Sequence, residues 1–372
     1  MRILVISHTE HYSDANGNVV GWGATVKELN ALADAFGEVV HIACLHKKNI
    51  PPSALSYQAN VRFVPIQPFG GKGLLNKLSI ITTAIQNLRI INRELKQADI
   101  FQFRAPTSIG LYIIPYLSFF SKKKGWYKYA GNWVQKNPPL SYRLQKWMLL
   151  RLQKRKVTIN GSWNNQPVHC LSFENPCITN EERQIGIAIT NRRTFSKPLK
   201  LCFVGRLDAE KGIYEILDAI KNFLHKTIFD SLEIAGDGPE FDKLTLKATT
   251  SGIPVKVHGA LSHDSLIEIY KKCDFILLPS KSEGFPKVIA EAANFGCIPI
   301  VSDVSAIGQY INDSNGFLWN PYIESFTDFF KKLSFDDRQK LQTMSLHAHE
   351  MATMFTYDAY IEKLRKHILV DN

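Results

Sequence analysis

The chain has 372 residues, 45% hydrophobic and 21% charged, a balance that supports buried cores and excludes global disorder. At about 100–200 residues per domain, that length suggests two domains or one large one. Six cysteines, none in a C-x-x-C pair, are too few for a disulfide scaffold and argue against structural zinc, which points to a reduced cytosolic protein with buried thiols.

The net charge of +11 is uneven. Residues 1–190 hold 23 Lys and Arg against 10 Asp and Glu, while residues 191–372 hold 22 against 24. No acidic residue falls between Asp99 and Glu174, and residues 121–156 carry 11 cations. Such a field implies an anionic partner for the first half, with nucleic acid and an anionic membrane both candidates.

In chain order, Arg2–Ser7 reads as a buried strand, too short for a signal segment. A glycine-containing loop, 17–23, precedes a helix at 25–35 and a strand at 39–44. Further strands are expected at 61–65, 99–103, 126–130 and 157–159, with helices at 75–95, 108–119 and 141–154. The run Gly70-Gly71-Lys72-Gly73 lacks the spacing and hydroxyl of a P-loop and reads as a mobile loop. The longest apolar stretch, 109–120, contains Pro115 and falls short of the roughly 20 residues of a membrane span. In 141–156, Leu144, Trp147, Met148 and Leu152 fall at helical spacing among Arg143, Lys146, Arg151, Lys154 and Arg155. That pattern fits an interfacial anchor or an ordinary surface helix with its apolar face in the core.

A polar segment ending in Pro198 suits a linker at 191–198. The α/β alternation then restarts with strands at 199–204, 231–235, 254–258, 274–278 and 298–301 and helices at 212–224, 239–250, 264–272 and 286–295. Alternation of this kind predicts parallel, doubly wound sheets.

Four clusters follow successive strands. Gly205-Arg206 and Lys211-Gly212 place two cations across a turn, either a phosphate clamp or solvated charges. Gly236-Asp237-Gly238-Pro239 permits close backbone approach to a ligand, with Asp237 also a candidate N-cap. His258-Gly259-Ala260 offers amides for a base edge, with His258 alternatively a packed core residue. Glu283-Gly284-Phe285-Pro286-Lys287-Val288 leads to Glu291. Eight residues, about two helical turns, would point both carboxylates to one side of a helix.

With these motifs in this order over about 199–320, the second half resembles the donor-binding domain of the family 4 glycosyltransferases. The E-x7-E pair is Glu283 and Glu291, and the accompanying segments are Gly205-Arg206 to Lys211-Gly212 and Gly236 to Pro239. The resemblance implies the GT-B fold: two Rossmann-like, doubly wound parallel-sheet α/β domains facing a cleft. It divides the chain into an acceptor domain at 1–190, rejoined by a helix at 355–372, and a donor domain at 191–354. It also implies a retaining hexosyltransferase, with Arg206 and Lys211 on the leaving diphosphate, Glu283 on the transferred sugar and Glu291 on ribose hydroxyls. Donor contacts extend to Gly205, Gly236, Gly238, Gly259, Ala260, Gly284, Phe285, Pro286 and Val288, with Gly21 and Gly23 near the diphosphate.

No His follows strand 126–130, where relatives often carry one, so Arg104 and Asn132 stand as acceptor-side candidates. No D-x-D occurs in the chain, so no metal or cofactor is expected beside the nucleoside diphosphate sugar. The resemblance extends by analogy to bacterial surface-polysaccharide enzymes, hence a lipid-linked saccharide acceptor and a cytoplasmic enzyme peripheral to the inner face of the cell membrane. Two other readings are a nucleotide-sugar epimerase or hydrolase and a nucleic-acid-binding protein. The second would use Trp126, Tyr127, Tyr129 and Trp133, interleaved with Lys124, Lys128 and Lys136, but leaves the paired glutamates unexplained. Nucleic acid is therefore not expected as a partner.

Overall fold

The computed structural model describes residues 1–69, 79, 80, 82–196 and 198–369. The glycine run at 70–73 and the start of the helix expected at 75–95 lie outside them. Two compact units form: Met1–Glu174 with Ile361–Asn372, and Asn175–Tyr360.

The first unit is built on a nine-stranded sheet: β1 (Arg2–Ser13), β2 (Val19–Trp22), β3 (Glu38–His46), β4 (Ala54–Ser56), β5 (Val61–Ile66), β6 (Ile100–Ala105), β7 (Gly125–Tyr129), β8 (Val157–Ile159) and β9 (Cys170–Ser172). β5, β3, β1, β6, β7, β8 and β9 run parallel in that spatial order; β2 folds back antiparallel on the last three residues of β1, and β4 pairs antiparallel with β2. Thus β1 outruns the expected 2–7, and part of the expected glycine loop is β2. A register shift between Ile6 and Glu10 bends β1 there, before the stretch that pairs with β2.

A hydrogen-bond chain fastens the bent end of β1 to β3 and to Tyr57, which follows β4. His11 donates Nδ1–H to the Thr9 carbonyl (2.9 Å), which leaves Nε2 to accept from the Tyr57 hydroxyl (2.6 Å). Tyr57 must then accept from His41 Nδ1 (2.7 Å), and His41 Nε2 accepts from Ser7 Oγ (2.8 Å). One backbone carbonyl therefore fixes both tautomers. Gly21 sits against His11: a Cβ there would lie 2.4 Å from the imidazole. That contact gives the glycine a packing reason independent of any ligand.

The second unit carries β10 (Leu199–Val204), β11 (Phe229–Ala235), β12 (Val255–Val257), β13 (Phe275–Leu278), β14 (Ile298–Ser302) and β15 (Phe317–Trp319), all parallel. The order is β12-β11-β10-β13-β14-β15, the doubly wound order that reverses direction beside its first strand. Helices cover both faces, so β13 and β14 are buried along their lengths rather than alternating.

The unit boundary falls at 174/175, not at 190/191, because helix Asn180–Thr190 is bound to the second unit. Arg183 donates to Asn294 Oδ1 (2.8 Å) and the His349 carbonyl (2.8 Å). The last helix runs Tyr357–His367 and changes unit after Tyr360. Among the described residues, no helix is long and apolar enough to cross a membrane.

Burial lowers the His11 pKa to about 4, and burial with the neighbouring His11 and Arg104 charges depresses His41 as well. Both rings fold neutral, so their stabilisation is complete above the unfolded value near 6.5 and is lost as pH falls through the folded values. From His11 alone, the unfolding free energy should drop by about 3 kcal/mol between pH 6.5 and 4. Urea unfolding across that range measures it. His11→Phe should flatten this part of the profile, and an unchanged slope in that variant would contradict the assignment.

Candidate active site

In open α/β sheets, ligands bind beyond the carboxyl ends of strands where the order reverses. In the second unit that point lies between β10 and β13. The turn after β10 carries Gly205, Arg206 and Lys211; the turn after β13 carries Glu283 and Gly284. The two turns are joined: Lys211 Nζ bonds Glu283 Oε1. The same carboxylate oxygen accepts from Ser280 Oγ (2.9 Å), and Lys281 N–H donates to the Glu210 carbonyl (2.9 Å). Ser280 was not legible as a site residue, since an isolated Ser in a loop carries no signal.

Arg206 is placed differently. Its side chain is 68% exposed and bonds Asp208 (Nε to Oδ2, 2.6 Å), so the two cations leave the same strand end with different partners.

The glutamate pair also departs from expectation. The helix after β13 begins only at Lys287, with Pro286 as its N-cap and no side-chain cap. Glu283 therefore lies in the preceding turn, and helical spacing does not relate it to Glu291. Glu291 lies in the helix and accepts from Tyr270 Oη (3.2 Å). Burial raises its pKa, opposed by the nearby charges of His263 and Lys287.

Phe285, read as a donor contact, turns its ring into the core against Phe355 (centroids 4.3 Å apart) and Tyr310 (4.8 Å). Only its backbone stays at the turn. Val288 is half-buried against the same core, and Gly284 accepts from Ala306 N–H (3.3 Å). Gly236, with φ 145°, lies against the β10 turn, where a Cβ would meet the Gly205 carbonyl oxygen at 1.8 Å. Gly238 lies against the Leu207 carbonyl. Both glycines thus let the turns after β10 and β11 stack. Gly259 accepts from Gly236 N–H (2.8 Å), and Ala260 is exposed beside it. His258 bonds Glu233 rather than packing as an apolar core residue.

In the first unit, Gly23 donates its N–H to the Ser53 carbonyl (2.9 Å) and opens helix Gly23–Phe36. Arg104 is drawn inward: it donates to Glu28 Oε1 (2.8 Å) and Gln102 Oε1 (2.9 Å), and Lys128 reaches the same Glu28 oxygen (2.6 Å). These contacts make Arg104 part of a buried charge cluster. Asn132 lies on the wall of a cavity of about 600 Å³ between the end of β7 and helix Leu140–Trp147. Trp126, Tyr127, Tyr129 and Trp133 are buried and present no stacking face to a nucleic acid. A second cavity, about 440 Å³, includes His8, Glu10, Tyr12, Trp22 and His46 in its lining. Periodicity missed it because it lies past the bend in β1.

Residues 188–350 match the family model Glycosyl transferases group 1, over less than half of the chain. The chain is 31% identical over 181 residues to a glycogen synthase of Mycobacterium tuberculosis, covering 47% of this chain and 44% of that protein. It spans less than half the length of the curated relatives it matches. Among solved structures, a sucrose-phosphate synthase from Thermosynechococcus elongatus superposes with a TM-score of 0.74 at 15% identity, covering 98% of each chain. Anabaena HepE in complex with UDP and glucose gives 0.68 at 16%, again over 98% of each. At such identities the likeness establishes the fold.

Gly236→Ala should destabilise the protein by on the order of 2–4 kcal/mol, through a clash that backbone atoms cannot relieve by a rotamer change. Urea midpoints check this, and an unchanged midpoint would show that the two turns do not stack as described. The architecture is thus that of the GT-B glycosyltransferases, and residues 188–350, which hold every second-unit candidate above, match Glycosyl transferases group 1.

Proposed function

We propose that the protein transfers a sugar from a nucleoside diphosphate sugar to a hydroxyl of an acceptor. The observation that carries this reading is the position of Lys211 and Glu283 on the two turns flanking the strand-order reversal, followed by a helix start without a side-chain cap. Departure of the diphosphate from the anomeric carbon puts growing negative charge on its oxygens. Lys211, and Arg206 once turned from Asp208, supply cations there, and the first N–H groups of helix Lys287–Asn294 supply donors. One charge pair at about 4 Å and an effective dielectric of about 20 amounts to about 4 kcal/mol before desolvation. Glu283 holds Lys211 in place before the donor arrives and orients the sugar afterwards; Glu291 binds ribose hydroxyls.

The anomeric configuration is retained by front-face attack within an ion pair. A diphosphate oxygen takes the acceptor proton as the new glycosidic bond forms. No D-x-D sequence is present to chelate a metal, so the cations and the helix start serve the diphosphate instead. The UDP in the HepE complex supports a nucleotide sugar donor. The acceptor is a lipid-linked saccharide of surface polysaccharide synthesis, met at the inner face of the cell membrane. The cation-rich segment 121–156, without a carboxylate, supports that location.

Lys211→Ala should lower kcat by about 10²–10³ while the protein folds normally, as expected when a preorganised donor to developing charge is removed. Arg206→Ala should also lose most turnover. Steady-state kinetics with saturating donor measure both, and near-native rates would refute the clamp. Product that forms without any acceptor would make the enzyme an epimerase or hydrolase instead.

A further inference from the structure

The cavity of about 600 Å³ between the end of β7 and helix Leu140–Trp147 carries Arg143, Lys146 and Arg151 beside Trp133, Tyr142 and Trp147. No carboxylate lines it among the described residues, and the sequence supplies none from 100 to 173. Lys146 is held in position: it donates to the Trp133 carbonyl (2.5 Å) and lies 4.5 Å from the centre of the Trp133 ring. Arg143 and Arg151 stand exposed at the rim. A site with several cations and no counter-charge favours an anion.

The adjoining surface adds a second requirement. Helix Leu140–Trp147 buries Gln145, and its π-helical continuation Met148–Leu152 buries Met148 and Leu149. Leu140, Leu144 and Trp147, spaced i, i+4 and i+7, are left 78%, 44% and 52% exposed. The apolar residues of this segment are therefore divided between core and water, and the solvent-facing ones form a ridge next to the cations. A free inorganic anion would leave that ridge wet, and a neutral lipid would leave the cations unpaired. An amphipathic phosphate satisfies both.

We propose that this cavity binds the phosphate of a long-chain phosphate ester, with Arg143, Lys146 and Arg151 on the phosphate and the hydrocarbon chain along Leu140, Leu144 and Trp147. The site rests on the reading of the acceptor as lipid-linked, and it names the part of that acceptor the first unit holds. Arg155 does not belong to it. Arg155 donates to the carbonyls of Leu117 (3.0 Å) and Ser121 (2.6 Å) and lies over the Phe101 ring.

The test is pelleting of the full chain with phosphatidylcholine vesicles doped with a long-chain alkyl phosphate or with phosphatidylglycerol, at matched surface potential. Arg143→Gln with Arg151→Gln should lose about tenfold more affinity for the alkyl phosphate vesicles than Lys122→Gln with Lys124→Gln, which removes equal charge from the same segment outside the cavity. Such a difference confined to alkyl phosphate assigns the site to an acceptor-type headgroup. The same difference on both vesicle types assigns it to bilayer phospholipid. Equal losses from the two variant pairs, or none from either, would overturn the site in favour of diffuse surface charge. Binding of a nucleoside diphosphate by the same variants is read separately: a chain that binds vesicles as described but no nucleotide contradicts the transferase reading and not this cavity.

Discussion

The bond between Lys211 and Glu283 is the contact on which the proposed sugar transfer depends. It ties the turn after β10 to the turn after β13, the two strands between which the sheet order reverses. Ser280 completes the arrangement on the same carboxylate oxygen. Part-buried carboxylates are costly unless their lone pairs are filled, and charge-assisted bonds are the strong ones. This glutamate therefore fixes a lysine at a place where a solvated lysine would otherwise sample many rotamers. The side chain is ordered before any ligand arrives, which reduces the entropy lost on binding.

The first unit uses its charges differently. Much of its positive surplus lies outward, but Lys128 and Arg104 turn inward onto Glu28, and Arg155 is consumed by backbone carbonyls. Buried ion clusters of this kind add little net stability but make loss of one partner expensive. The His11–Tyr57–His41 chain has the same character. Its direction is imposed by one carbonyl, and it ties the bent end of β1 to β3 and to Tyr57, which follows β4. Positive charge in the sequence is thus a poor guide to positive surface until the inward-facing cations are set aside.

The parallel strands were the most legible part of the sequence. β8 and β10 coincide with the strands expected at 157–159 and 199–204; in β10 the buried run Leu201–Val204 is bounded by the exposed Lys200 and the Gly205 turn, as expected of a strand covered on both faces. β4, β9 and β15 are three residues long and too short to carry a period; β8 and β12 are as short but follow amphipathic helices that mark their place. The glutamate pair was misread for a geometric reason: Pro286 caps the helix, so its first turn lies beyond Glu283. The domain boundary was misplaced because Arg183 joins its helix to residues more than a hundred positions away, and such pairing leaves no local trace. Phe285 could not be assigned from a turn motif, since whether an aromatic ring faces ligand or core depends on Tyr310 and Phe355.

Hydrogen exchange with and without a panel of nucleoside diphosphates tests the central claim most directly. The account predicts that one of them slows amide exchange both in 205–212 and in 284–289, because the diphosphate sits across the two turns that Lys211 and Glu283 connect. Saturating nucleotide that protects neither segment, or protects only residues remote from β10 and β13, would contradict it.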